Sequence, residues 1–379
     1  MTTMGEDSTA SDNTAGDNMA GDNTAGDEHL RAPLLLHSLT ELSEIILPCL
    51  DIAGARTVVE VGAEEGTFTR QLVGWAEEHD GTVYCVEPAP TPVLREMCEA
   101  SDAVVLVEQF SPRALEELDR ADVYLVDGDH NHYTVKRELE AIEAKSAGGG
   151  LDALVMLQDI GWPWGRRDLY YAPDSLPSGA VHPYTYDQGV TIDSPGVSDG
   201  GFRGEGEFAL ALEEGGPANG VLTAVEEFLE RREELVLARI ASVFGLGVLY
   251  PASALYQETI AAFLSPFDDS PLLQRLEENR LRLYLKVLEL QDDSTAMRRD
   301  LEGLQLRIRD VDTENRALWA RIAELESRSG SMEAEVVNLL NSRAFAVGER
   351  LSTVTRRRGK GPGLSRQRLQ NALDGKAQG

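Results

Sequence analysis

Three short apolar runs between Thr57 and Val126 constrain this chain more than any other feature. The first, TVVEVG, breaks at Gly62 and Gly66 and gives way to a helical pattern. A strand that runs into glycines and then a helix is how an open α/β sheet builds a ligand crevice at its carboxyl edge. Without a Cβ the backbone there turns sharply and lets a ligand come close. The second run, TVYCVE, ends in Glu87, at the distance where nucleotide-binding sheets set a carboxylate against ribose hydroxyls. The third, VYLV, delivers Asp127, Asp129, His130 and His132 to the same edge. Two more runs, AVVLVE and ALVMLQD, alternate with helical patterns. That alternation predicts an α/β fold with a doubly wound, Rossmann-like parallel sheet.

The glycine spacing discriminates between ligands. A dinucleotide site favours G-x-G-x-x-G, with a helix N-terminus aimed at a pyrophosphate. Here the pattern is E-x-G-x-x-x-G from Glu60 to Gly66, and Glu64 and Glu65 would repel a pyrophosphate. They matter less to a ligand carrying an amine and a sulfonium. The segment resembles the cofactor motif of class I S-adenosylmethionine-dependent methyltransferases. The resemblance implies that Glu60, Gly62 and Gly66 form the cofactor loop, with the two glycines lining the methionine part, and that Glu87 binds the ribose. The same spacing disfavours a nicotinamide oxidoreductase.

Asp127-Gly128-Asp129-His130, the strand-end Asp159 and the loop GWPWGRRDLYY are similar to the methyltransferase-24 domain family, over roughly residues 35–255. That family includes metal-dependent O-methyltransferases of macrolide sugars and enzymes tied to surface-polysaccharide clusters. It implies that Asp127 binds metal and that His130 acts as base. The family's other ligands are an adjacent acidic pair at the end of the next strand, where this chain has Gln158-Asp159. An amide carbonyl can still ligate, with one negative charge fewer. The chemistry fits the residue types: a sugar hydroxyl is a poor acid, so its methylation calls for a general base or a hard cation such as Mg²⁺ held by oxygen ligands.

The expected activity is therefore S-adenosylmethionine-dependent O-methylation of a sugar hydroxyl, on a glycan or a glycosylated metabolite, with Mg²⁺ as an assisting ion. His130 would take the proton, while Asp127 and Asp159, with Gln158 beside them, orient the hydroxyl or a metal. The competing expectation is a non-catalytic scaffold or sensor in glycan assembly. Bland roles stand beside these. Asp127 or, more readily, Asp129 would cap the next helix, and His132 would sit at the surface or behind the site. Trp162, Trp164, Tyr170 and Tyr171 would either wall a sugar or pin their loop. Arg166 and Arg167 would pair internally, as with Asp168, or hold a phosphate.

The 379 residues, 42% hydrophobic, suffice for a sizeable core, and a net charge of −30 argues against nucleic acid. Three cysteines do not make a disulfide framework. No apolar run approaches the roughly twenty residues of a membrane span. With no secretory leader pattern either, a cytoplasmic location is expected. Residues 1–28 repeat SDNTA-like units with seven acids and no Lys or Arg, which predicts disorder. The folded domain is expected over 34–255, with a long lid-like loop from about Gly161 to Gly216.

From Leu273 to Leu339 one register alternates steps of three and four without a stutter, predicting a coiled coil over 271–342. Asn315 falls at an a position if the Leu-rich positions are d, which favours a dimer. Residues 343–379 hold nine bases against two acids and are expected to be a disordered tail, or one that touches an anionic membrane or an acidic glycan-assembly partner.

Overall fold

The computed structural model describes residues 38–146, 148, 150–356 and 365–376. The acidic repeat and the Arg357-Arg358 part of the tail lie outside them. Helices α1 (Ser38–Glu41) and α2 (Ser43–Ala53) lead into β1 (Thr57–Val61). Four strand–helix units follow: α3 (Thr69–His79) and β2 (Thr82–Val86), α4 (Pro92–Glu99) and β3 (Val104–Val107), α5 (Ser111–Glu117) and β4 (Val123–Val126), α6 (His132–Ala144) and β5 (Leu154–Gln158). After them come five short strands, β6 (Leu169–Tyr170), β7 (Tyr184–Thr185), β8 (Gly189–Thr191), β9 (Ser194–Ser198) and β10 (Ala209–Ala211). Then α7 (Val221–Leu229), β11 (Leu235–Ile240), β12 (Leu246–Pro251) and α8 (Gln257–Leu264) close the domain.

The main sheet has seven strands in the order β11-β12-β5-β4-β1-β2-β3. The five expected runs pair in parallel, from Thr57 opposite Thr82 to Val126 opposite Leu157. Beyond these five the sheet gains an antiparallel edge: β12 runs antiparallel to both β5 and β11. The tight connection from Ile240 to Leu246 makes β11 and β12 a hairpin, and a hairpin can only be antiparallel.

Both faces of the sheet are covered, as crossover helices require. Alternate strand residues Val58, Val83, Leu125 and Met156 pack with α2, α3, α4 and α8. Their neighbours Val59, Val61, Tyr124 and Val155 pack with α5, α6 and α7. Burial on both sides explains why the strands read as continuous apolar runs. The strand order reverses between β1 and β4, and a crevice at the carboxyl ends of such a switch point is where open α/β sheets bind ligands.

The lid-like loop is not structureless. It holds an antiparallel sheet β6-β10-β7 and the pair β8-β9, anchored by the fully buried Arg167 on the carbonyls of Ala211 and Pro195.

The first compact unit runs to Ser294, past the expected boundary at 255, because Ile260 and Leu264 of α8 join the core. So does the start of α9 (Pro271–Asn341), where Glu277 accepts the Phe244 N–H and Tyr284 packs on Phe202 and Phe244. The second unit begins at Thr295 and continues α9, then adds α10 (Arg343–Arg356) and α11 (Arg366–Lys376). The tail expected to be disordered thus contains two helices. Arg366 ties them back, its guanidinium to the Leu340 carbonyl and its N–H to Glu349.

Candidate active site

Gly62 and Gly66 carry φ values of +83° and +78°, the left-handed region that favours glycine. Space forbids a side chain as well. A Cβ on Gly62 would lie 2.1 Å from the Asp127 carbonyl oxygen, and one on Gly66 would lie 2.4 Å from Met97 Cε. The loop therefore nests its backbone against the β4 end. Glu87 is half-buried and accepts the N–H groups of Glu64 at 3.2 Å and Ala89 at 3.0 Å. One carboxylate thus joins the glycine loop to the β2 end and keeps lone pairs for a ligand.

Glu60, expected in the cofactor loop, sits below it instead. Only 1% exposed, it accepts the Thr69 hydroxyl at 2.6 Å, and burial raises its pKa to about 8. Its place inside β1 makes it a support for the loop and for the first turn of α3.

Asp127, His130 and Asp159 converge. One ligand atom from each falls within 4.8 Å of the others. His130 Nδ1 and Asp159 Oδ2 are 3.3 Å apart. Burial lowers the His130 pKa to about 4, so the ring is neutral at pH 7 and free to accept a proton. Burial also raises Asp159 to about 7, against a smaller lowering by the Gln158 amide. Asp127 is pushed well above the usual carboxylate range, by desolvation first and then by Asp159, Glu60 and Glu64. Asp159 holds a left-handed φ of 64°, and its Oδ1 is buried without a hydrogen-bond partner. Strain and an orphaned oxygen at one residue are features that cluster at functional sites.

This donor set fits a divalent cation: two carboxylates that repel each other, one of them with an unsatisfied oxygen, and an imidazole. The expected ligand Gln158 donates its amide N–H to the Val243 carbonyl at 2.8 Å and keeps its buried Oε1 without a hydrogen-bond partner, while His130 joins the two aspartates in the converging group.

Several expectations separate here. The cap of α6 is Asn131, which accepts the Thr134 N–H, and not Asp127 or Asp129. Asp129 braces that cap by accepting from the Asn131 side chain at 2.6 Å. His132 points away, to Glu227 at 2.7 Å. Trp164 and Tyr170 are core residues, Tyr170 donating to Asp168 at 2.8 Å, so they form no sugar wall. Tyr171 does face the site, half-exposed, with its ring centroid 6.3 Å from that of His130. Of the aromatic residues expected to wall a sugar, Tyr171, just past the end of β6, thus faces the site while its neighbour Tyr170 is buried. Arg166 pairs with Glu226 and not with Asp168.

Residues 59–155, from inside β1 to inside β5, match the family model described as a methyltransferase domain. Solved structures to which the chain is similar include a candidate caffeoyl-CoA O-methyltransferase of Staphylococcus aureus, at 13% identity over 60% of this chain and 90% of that one, with a TM-score of 0.36. The SAH-bound methyltransferase PaMTH1 of Podospora anserina is similar at 13% identity, over 59% and 85%, with a TM-score of 0.36. A candidate O-methyltransferase of Klebsiella pneumoniae is similar at 16%, over 62% and 92%, with a TM-score of 0.35. No curated protein matches the sequence.

Proposed function

We propose that the chain is an S-adenosylmethionine-dependent O-methyltransferase whose acceptor is a sugar hydroxyl, on a glycan or a glycosylated metabolite. The observation that carries this reading is a buried His130 against Asp159, converging with the Asp127 whose carbonyl the Gly62 loop packs upon. S-adenosylmethionine would supply a sulfonium methyl group to the acceptor oxygen. Gly62 and Gly66 give its methionine part close backbone approach, and Glu87 takes the ribose hydroxyls.

His130 removes the acceptor proton. Asp159 faces Nδ1, which fixes the ring and leaves the other nitrogen to receive the proton, and its charge stabilises the imidazolium that results. Asp127 stands within reach of the same acceptor and orients its hydroxyl. Tyr171 offers an exposed aromatic face of the kind a sugar ring packs on. Mg²⁺ held by Asp127 and Asp159, with Gln158 or His130 beside them, would supply a Lewis acid for the acceptor hydroxyl.

Calorimetry with S-adenosylmethionine and S-adenosylhomocysteine, with and without Mg²⁺, tests the cofactor reading, and turnover with sugar acceptors tests the rest. Micromolar binding is expected, with an additional Mg²⁺-dependent heat that Asp159→Asn removes. His130→Ala should lower turnover about 10³-fold and leave cofactor affinity within twofold. Absence of cofactor binding under every condition would overturn the proposal. Binding without turnover on any acceptor would favour the non-catalytic sensor.

A further inference from the structure

Along α9 an apolar stripe stays in the open. From Met297 to Leu339 the apolar residues of the three–four register are 43% to 64% exposed, Ile322 least and Met297 most, with Val336 alone half-buried. An apolar stripe that repeats every 3.5 residues over this length is the surface that a partner helix buries in a coiled coil. We propose that it is the seam of a parallel, in-register, two-stranded coiled coil with a second copy of this chain.

Three features of the seam select that occupant. Between Met297 and Leu339 three of the six a positions are β-branched (Ile308, Ile322 and Val336) and four of the seven d positions are Leu. β-Branched a with Leu d packs best in a parallel pair of strands.

Asn315 is the second. In a parallel in-register pair, a faces a, so each Asn315 meets its own copy and the two amides satisfy each other. In an antiparallel pair a faces d, and every d residue from Met297 to Leu339 is apolar. The amide would then be buried without a partner, which costs more than the bond it forgoes.

Charge is the third. Each g residue of a parallel pair lies beside the e residue five positions on in its partner. That rule matches Arg307 with Asp312, Arg321 with Glu326, and Arg328 with Glu333. No like-charged g–e pair occurs between Met297 and Leu339. Arg321 also pairs with Glu324 one turn along its own helix, which is compatible with an interhelical role.

Light scattering on the full chain should give twice the 41.4 kDa chain mass. A monomer at micromolar concentration, or a trimer, would overturn the proposal. Orientation is read by single cysteines near the two ends of the seam, since the native Cys49, Cys85 and Cys98 are buried. Met297→Cys and Val336→Cys should each form a covalent dimer on oxidation. If neither links to itself but a mixture of the two links 297 to 336, the pair is antiparallel and the inference fails.

Register is read by charge. Arg307→Glu with Arg321→Glu turns four interhelical attractions per dimer into repulsions, which should weaken the dimer on the order of 50-fold. Adding Asp312→Arg and Glu326→Arg should restore it. A dimer indifferent to the first pair, or one the second pair fails to rescue, would overturn the register.

Discussion

Asp122 and Asp127 bracket the same strand, β4, and meet opposite surroundings. Asp122, at the amino end, accepts the N–H groups of Arg56 and Thr57 and the Thr57 hydroxyl, at 2.8 to 2.9 Å. Burial pushes its pKa up, but these donors outweigh that and leave it below the usual carboxylate value. Asp127, at the carboxyl end, is raised by desolvation and by the acids around it. One end of the sheet closes its hydrogen bonds, and the other leaves carboxylate charge unsatisfied. The difference separates a residue that holds the fold together from one whose charge is left available, as the proposed chemistry needs, at a cost in stability.

The largest effect should come from removing the unsatisfied charge. Asp127→Asn is expected to lower methyl transfer by about 10²- to 10⁴-fold, the range of a lost catalytic group. Its urea midpoint should equal or exceed that of the native chain, because a repelled carboxylate has gone. A less stable Asp127→Asn would break the comparison.

Next in size is the glycine loop. Gly62→Ala drives a methyl group into the Asp127 carbonyl and forces a left-handed φ on alanine, costing about 3 kcal/mol in urea unfolding. Gly74, inside α3, has nothing within 4 Å of an added Cβ. Gly74→Ala should gain about 0.5–1 kcal/mol, so equal effects at the two positions would refute the steric account.

Acidity sharpens the contrast. Glu60 at about 8 and Asp159 at about 7 titrate in the fold well above the value near 4 of an unfolded chain. Their contribution is whole below about pH 4 and is lost as pH rises through 7 and 8. Several kcal/mol should disappear between pH 5 and 9, and Glu60→Gln should lessen the loss. Asp122 has the opposite sign, its stabilisation being lost only as pH falls below the usual carboxylate range. A native chain with a flat profile from pH 5 to 9 would contradict these assignments.

The smallest expected effect is that of Asp122→Ala. It should lose about 1–2 kcal/mol of stability and leave turnover unchanged.

Much of this was legible in the residues. Val58, Val59 and Val61 announce a strand buried on both faces, and the break at Gly62 announces the turn after it. Asp127, His130 and Asp159 could be assigned to one edge because strand ends in a parallel sheet share a direction. Their neighbours were harder. Asp129, Asn131 and His132 lie within four positions, and only the path of the chain decides which caps α6, which braces the cap and which turns to Glu227. The β11–β12 hairpin and the small sheets of the lid rest on pairings between short segments, whose period is too brief to read.

Sequence by itself determined the periodic and covalent features: the apolar runs, the glycines that admit a left-handed turn, and the unbroken register of α9. These are local, set by side-chain spacing and backbone sterics. The tertiary structure decided which polar groups lose water and who their partners are. It buried Glu60 under its loop, brought Asp159 to 3.3 Å from His130 and left one Asp159 oxygen without a donor. Desolvation and charge proximity depend on segments far apart in the chain, so the chemistry of the site exists only once the sheet has closed.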